Sequence, residues 1–175
     1  MAGSVPAVTV THIDYSHLKG GLVRMMNRFK KEGTLTGELG ADDFIRSVPA
    51  AALLGMLYDQ RMRAEHAFTG PMRLKERLGH LEFPKIARMD LETLQSLFAR
   101  TPAVHRFTNT MAAYTHGIAQ IVTDKYGGDP ARLWNDGADF PTIEKRMLEL
   151  PGFGPQKAAK MKYVLHYFGY RNFSK

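Results

Sequence analysis

The residues best suited to chemistry lie late in the chain, in "LPGFGPQKAAK" at 150–160. Pro151 cannot continue a helical hydrogen-bond ladder, and Gly152 and Gly154 allow backbone angles closed to other residues. Pro155 suits the first turn of a new helix. The spacing predicts helix, tight bend, helix, and the chemistry is anion binding. Glycine amides unshielded by side chains approach a phosphate closely, and the second helix points its positive end at the same place. Lys157 and Lys160 add mobile charge. Gly152, Phe153, Gly154, Gln156, Lys157 and Lys160 are therefore the expected contacts to a nucleic-acid backbone, which would be independent of base sequence. A plain loop between two helices is the competing reading.

Two further groups carry polar chemistry. Asp59 and Gln60 follow an almost wholly apolar run at 50–57. A carboxylate beside a buried apolar helix has a perturbed pKa, which is a feature of functional sites. The other reading of Asp59 is a polar helix end, or an ion pair with Arg61 or Arg63. In His105-Arg106-Phe107, Arg106 suits a phosphate and His105 suits donation into a pocket; otherwise His105 caps a helix and Phe107 is core. Asp42 and Asp43 read as helix caps, Asp136 and Asp139 as turn formers, Glu65 as an ion-pair partner, and Trp134 and the methionines as core. No His/Asp/Glu cluster has metal-ligand spacing, so no catalytic metal is expected. The chain has no cysteine. That excludes disulfides, thiolate zinc sites, cysteine-ligated iron–sulfur clusters and cysteine nucleophiles.

Charge points the same way as the bend. Lysine and arginine outnumber aspartate and glutamate 24 to 17, for a net +7 over 175 residues. Such a surface favours polyanions, because binding releases the counterions of the phosphate backbone. The start lacks a secretory signal, and no apolar run approaches the roughly 20 residues that cross a bilayer. The expectation is a cytoplasmic, nucleoid-associated monomer without a membrane partner.

These groups need elements to position them. Residues 1–37 read as an N-terminal extension: "VTVTHI" alternates like a short strand, "HLKGGLVRMMNRFKK" can form an amphipathic helix weakened by Gly20 and Gly21, and a glycine-punctuated connector follows. Residues 38–175 read as one all-α domain. Pro49 separates "ADDFIRSV" from "AAALLGMLYDQRMRAEHAF", a buried helix carrying Asp59 and Gln60. Pro71 reads as a first helical residue and Gly79 as a helix stop. Asp90 caps "LETLQSLFAR", Gly127 ends the long helix that follows it, Asp129-Pro130 opens "ARLWND" as a helix start, and Thr142 caps "IEKRMLEL".

With those motifs in hand, "LPGFGPQKAA" resembles the helix-hairpin-helix element of the HhH-GPD base-excision DNA glycosylases. "LLGMLYDQRMRAEHAF" is similar to that superfamily's early buried helix, whose glutamine lies near DNA and is matched by Gln60. Met56 to Pro71, "TPAVHRF" at 101–107 and the hairpin together look like a small bacterial HhH-GPD group. The likeness covers roughly residues 41–168. It implies a helix-hairpin-helix glycosylase-like fold, double-stranded DNA as partner, and base excision repair chemistry. A damaged or modified base is flipped out and its N-glycosidic bond cleaved, with Gln60, His105 and Arg106 at the pocket or the intercalation point. It also implies a monovalent cation on the hairpin carbonyls. In register, Gln156 stands where bifunctional members carry a Schiff-base lysine, and Lys157 is turned by about 100° on the helix. The resemblance thus implies a monofunctional hydrolase. The family's catalytic aspartate maps onto Phe173, Ser174 and Lys175, and no acid follows Glu149. Asp59 is the candidate replacement. A non-catalytic helix-hairpin-helix DNA-binding protein is the alternative, and a helical interaction protein using the N-terminal 37 residues is another.

Overall fold

The computed structural model describes residues 10–174. Among them are nine α-helices and no strand: α1 (Gly21–Glu32), α2 (Leu39–Ser47), α3 (Pro49–Tyr58), α4 (Ala64–Leu78), α5 (Phe83–Ala87), α6 (Leu91–Ala99), α7 (Thr108–Tyr126), α8 (Phe140–Leu148) and α9 (Pro155–Tyr167). A 3₁₀ turn, Pro130–Leu133, separates α7 from α8. The all-α expectation holds.

The core is organised around α3. Every residue of α3 from Ala50 to Tyr58 is buried, because Ala, Leu and Met cover its whole circumference. Such a helix has no solvent face and must sit at the centre. It packs against α2, α4, α7 and α9. The outer helices are amphipathic and contribute one stripe each, such as Leu94 and Phe98 of α6 and Ile143 and Met147 of α8. Trp134 is buried as expected, and Met25, Met26, Met56, Met111, Met147 and Met161 fill the same core.

Four local expectations are corrected. Of "VTVTHI", residues 8 and 9 lie outside the described residues, and residues 10–13 are not a strand. Ile13 is buried, and its N–H and C=O both bond the Tyr167 hydroxyl of α9 (3.2 and 3.1 Å). A helix side chain thus satisfies backbone groups that a neighbouring strand would otherwise have to. The helix that Pro49 opens does not run on to Phe68. It stops at Tyr58, and residues 59–63 form a loop with Arg61 at φ 54, the one described non-glycine residue with positive φ. Pro71 does not start a helix. It lies inside α4, buried with Phe68, Gly70 and Leu74, so packing outweighs the hydrogen bond its ring removes. Finally, α8 begins at Phe140 and is capped by Asp139, whose carboxylate accepts from the Thr142 N–H at 3.1 Å. Asp90 caps α6 as expected, and Gly79 and Gly127 end α4 and α7 in the left-handed conformation.

The N-terminal residues share this core. Ile13, Tyr15, Leu22, Met25, Met26 and Leu35 belong to one buried cluster with α3 and α9. The α1–α2 connection is closed by Asp42, which is fully buried and accepts from the Leu35 N–H (2.7 Å), the Thr36 N–H (2.9 Å) and the Thr36 hydroxyl (2.5 Å). Asp42 therefore caps the loop in front of its helix. Replacing it (Asp42→Ala) strands two buried amides and leaves a void, so stability falls by about 2–4 kcal/mol. A thermal melt should show the midpoint lowered by roughly 5–10 °C; an unchanged midpoint would contradict this role.

Candidate functional site

The hairpin between α8 and α9 lies against the open end of α3. Gly152 adopts φ 84, and a Cβ on it would stand 2.5 Å from Leu57 Cδ1 and 2.8 Å from Tyr114 Cδ2. Only a glycine satisfies both the left-handed backbone and this approach. Phe153 is buried, so its side chain anchors the bend rather than facing a ligand. Gly154 is different. It is exposed, has ordinary extended angles, and a Cβ placed on it would meet no atom within 4 Å. Gln156 is exposed beside it. Pro155 opens α9, leaving the first-turn amides of α9 without intrahelical partners.

A cleft of about 470 Å³ opens here, lined by Gln60, Gly152, Gly154, Pro155, Gln156 and Lys157. Lys157 reaches across it. Its ammonium donates to the Leu57 carbonyl at 2.6 Å and to Gln60 Oε1 at 3.1 Å. The rotation that turns Lys157 from the Gln156 direction does not remove it from the cleft; it aims the side chain at the end of α3. Burial lowers the Lys157 pKa to about 8, against the attraction of Asp59. A sizeable neutral fraction near pH 8 makes this amine a base or nucleophile.

Asp59 sits at the same end of α3, half-buried. Among the described residues its carboxylate accepts no hydrogen bond and forms no ion pair, not even with Arg61 or Arg63. Burial raises its pKa, opposed by Lys160, Lys157 and Arg24 in that order. A partly desolvated carboxylate without a fixed partner can stabilise a developing cation or take a proton from water.

His105 does not face the cleft. It is fully buried; its Nε2–H donates to the Tyr58 carbonyl (2.8 Å) and its Nδ1 accepts from the Phe107 N–H (2.9 Å). Both nitrogens are used by the backbone, which fixes a neutral imidazole, and burial lowers its pKa. Its work is structural: it ties the end of α3 to the start of α7. Tyr58 makes a parallel tie through its hydroxyl to Thr115 Oγ1 at 2.9 Å. Arg106 is exposed, stacks over Phe107, and donates to the Arg61 carbonyl at 3.5 Å. It therefore flanks the 59–63 loop with its guanidinium largely free.

The structure thus brings Asp59, Gln60, Gly152, Gly154, Gln156, Lys157 and Lys160 to one end of α3. It leaves His105 and Phe153 in the supporting core. Sequence reasoning missed Leu57 and Tyr114 as the seat of the hairpin and Arg61 as a strained loop residue. Nothing local to those residues signals either role.

No protein-family model and no curated protein matches the chain. Among solved structures, that of a thermostable thymine-DNA glycosylase is similar, with a TM-score of 0.48 and 20% identity over 70% of this chain and 48% of that one. The chain spans about half the length of that protein. Among the described residues, no helix is long and apolar enough to cross a membrane, and no group of three or more metal-ligating side chains comes together.

The two hairpin glycines should respond differently to substitution. Gly152→Ala forces a left-handed alanine into Leu57 and Tyr114, costing about 2–4 kcal/mol. Gly154→Ala should leave stability within about 0.5 kcal/mol. Chemical denaturation of both variants checks this; equal losses would contradict the seating of Gly152.

Proposed function

We propose that this chain is a DNA glycosylase of the HhH-GPD kind, hydrolysing the N-glycosidic bond of a damaged or modified base flipped out of duplex DNA. The observation that carries the reading is an unpartnered, half-buried Asp59 next to Gln60, which lines a cleft together with Lys157 and an amide-rich, glycine-lined hairpin. The division of labour follows from charge. Gly154, Gln156 and the uncapped start of α9 hold phosphates without reading bases. Gln60 and Arg106 lie on the rim where a nucleotide would leave the stack. Cleavage builds positive charge on the sugar. The Asp59 carboxylate stabilises that charge and accepts a proton from water as the water oxygen bonds C1′ and the base departs. Such hydrolysis needs no amine nucleophile, which is the monofunctional reading. The motif resemblance across residues 41–168 supports the same class. DNA, with no membrane, is the proposed partner, and a monovalent cation on the hairpin carbonyls belongs to the same proposal.

Oligonucleotides bearing uracil, alkylated or oxidised bases test this. Base release is expected from at least one. Asp59→Asn should lower the single-turnover rate by about 10²–10³ with DNA affinity changed less than about twofold. The ionised carboxylate is the active form, so the rate should rise with pH through the elevated Asp59 pKa and then level. Tight DNA binding with no base released from any substrate would favour the non-catalytic DNA-binding alternative.

A second reading rests on Lys157 alone, because its amine lines the cleft with a pKa of about 8. An abasic sugar left after base loss presents an aldehyde at C1′. The neutral amine adds to it, water leaves, and an imine forms; loss of a 2′ proton then expels the 3′ phosphate. Borohydride trapping on abasic duplex separates the readings. A covalent adduct that grows roughly tenfold from pH 6.5 to 8 and vanishes in Lys157→Gln supports imine chemistry. No adduct at either pH leaves the hydrolytic reading alone.

A further inference from the structure

The N-terminal segment is joined to the hairpin helix in a way the function above does not use. The start of α1 is pressed against the start of α4: a Cβ on Gly21 would stand 2.8 Å from the Ala64 Cβ. The Lys160 ammonium lies 3.7 Å from where a Gly20 Cβ would be. His17 Nε2 and the Tyr163 hydroxyl are 3.0 Å apart, fastening residues before α1 to α9. These contacts gather Lys19, Arg63 and Lys160 around Gly20 and Gly21. Lys19 is exposed, and the Arg63 side chain is 72% exposed. Lys160 makes no hydrogen bond or ion pair among the described residues.

The acids nearby do not cancel this charge. Glu65 is held by Arg24 at 2.8 Å and by Arg28 at 2.8 Å, so one carboxylate already faces two guanidinium groups. Those partners hold its pKa down to about 2. Arg63 comes no nearer to Glu65 than 3.9 Å. Asp14 accepts from the Ser16 N–H in its own turn. Asp59 faces Lys160 and Lys157 together. Arg24, Arg28, Arg63, Lys157 and Lys160 thus face Glu65 and Asp59, and the surplus is positive. Lys157 and Lys160 occupy successive turns of α9, about 4.5 Å apart along its axis, so the positive stripe is continuous from the hairpin to α1.

We propose that the N-terminal segment belongs to the nucleic-acid surface: Lys19 and Arg63, with Lys160, hold phosphodiester groups of the same duplex, one turn along α9 from the hairpin. The partner is the DNA backbone, because Lys19 and Arg63 are exposed cations, Lys160 is a half-buried one, and cations of this kind hold phosphates without reading bases. This rests on the reading that the hairpin binds DNA.

The test is a fluorescence-anisotropy titration of an undamaged duplex with the full-length protein between about 50 and 500 mM salt. The Lys19→Gln/Arg63→Gln double variant should bind about tenfold or more weakly at low salt. Its log Kd against log salt slope should be smaller by about 2, one unit for each lost phosphate contact. Lys31→Gln, which removes one charge at the far end of α1, should leave the slope unchanged. A double variant with the wild-type slope overturns the inference while leaving hairpin binding intact. An equal loss in Lys31→Gln also overturns it, because net charge would then suffice. If the wild-type protein binds no duplex at any salt, both this inference and the proposed function fall. Thermal melts of the variants, expected within about 2 °C of wild type, show that the fold is not what changed.

Discussion

One close approach governs the arrangement: the left-handed Gly152 backbone pressed against Leu57 and Tyr114. Because no side chain intervenes, the hairpin lands directly on the C-terminal end of α3. The last carbonyls of a helix have no partners of their own. Here they are taken by groups from far along the chain, Leu57 O by Lys157 Nζ and Tyr58 O by His105 Nε2. The end of α3 is therefore held open as a loop rather than continued as a helix. Asp59, Gln60 and Arg61 are presented beside the hairpin instead of being wound into the core.

That constraint explains the unusual electrostatics. A lysine removed from bulk water by burial loses basicity, and a carboxylate desolvated beside it gains it. The two shifts bring their ionisation nearer to each other than in free solution. Each residue relieves the other: the carboxylate favours the ammonium, and the two lysines favour the carboxylate.

Much of the fold was legible in the residues. The all-apolar circumference of α3, the Asp90 cap, the left-handed stops at Gly79 and Gly127, and the Pro155 start of α9 are local signals, and each appears where the sequence puts it. The errors came where distant contacts decide. Nothing near Tyr58 breaks a helix; its last carbonyls are taken by Lys157, 100 residues beyond Leu57, and by His105, 47 residues beyond Tyr58. Pro71 is a helix breaker by chemistry but is carried inside α4 by burial. His105 looked equally suited to a pocket and to a cap, and only the positions of Tyr58 O and Phe107 N decide for the backbone. Asp59 and Lys157 were visible as residue types, but their proximity depends on how Gly152 seats the hairpin.

The central claim is that the cleft beside the hairpin receives a nucleotide drawn out of the duplex. Fluorescence of a duplex carrying a mispaired 2-aminopurine, read while anisotropy reports occupancy, tests it most directly, because the probe brightens when it leaves the base stack. The account predicts a several-fold rise that tracks occupancy and is lost when the hairpin is unseated by Gly152→Ala. Full occupancy by the wild-type protein with the probe still quenched would contradict it.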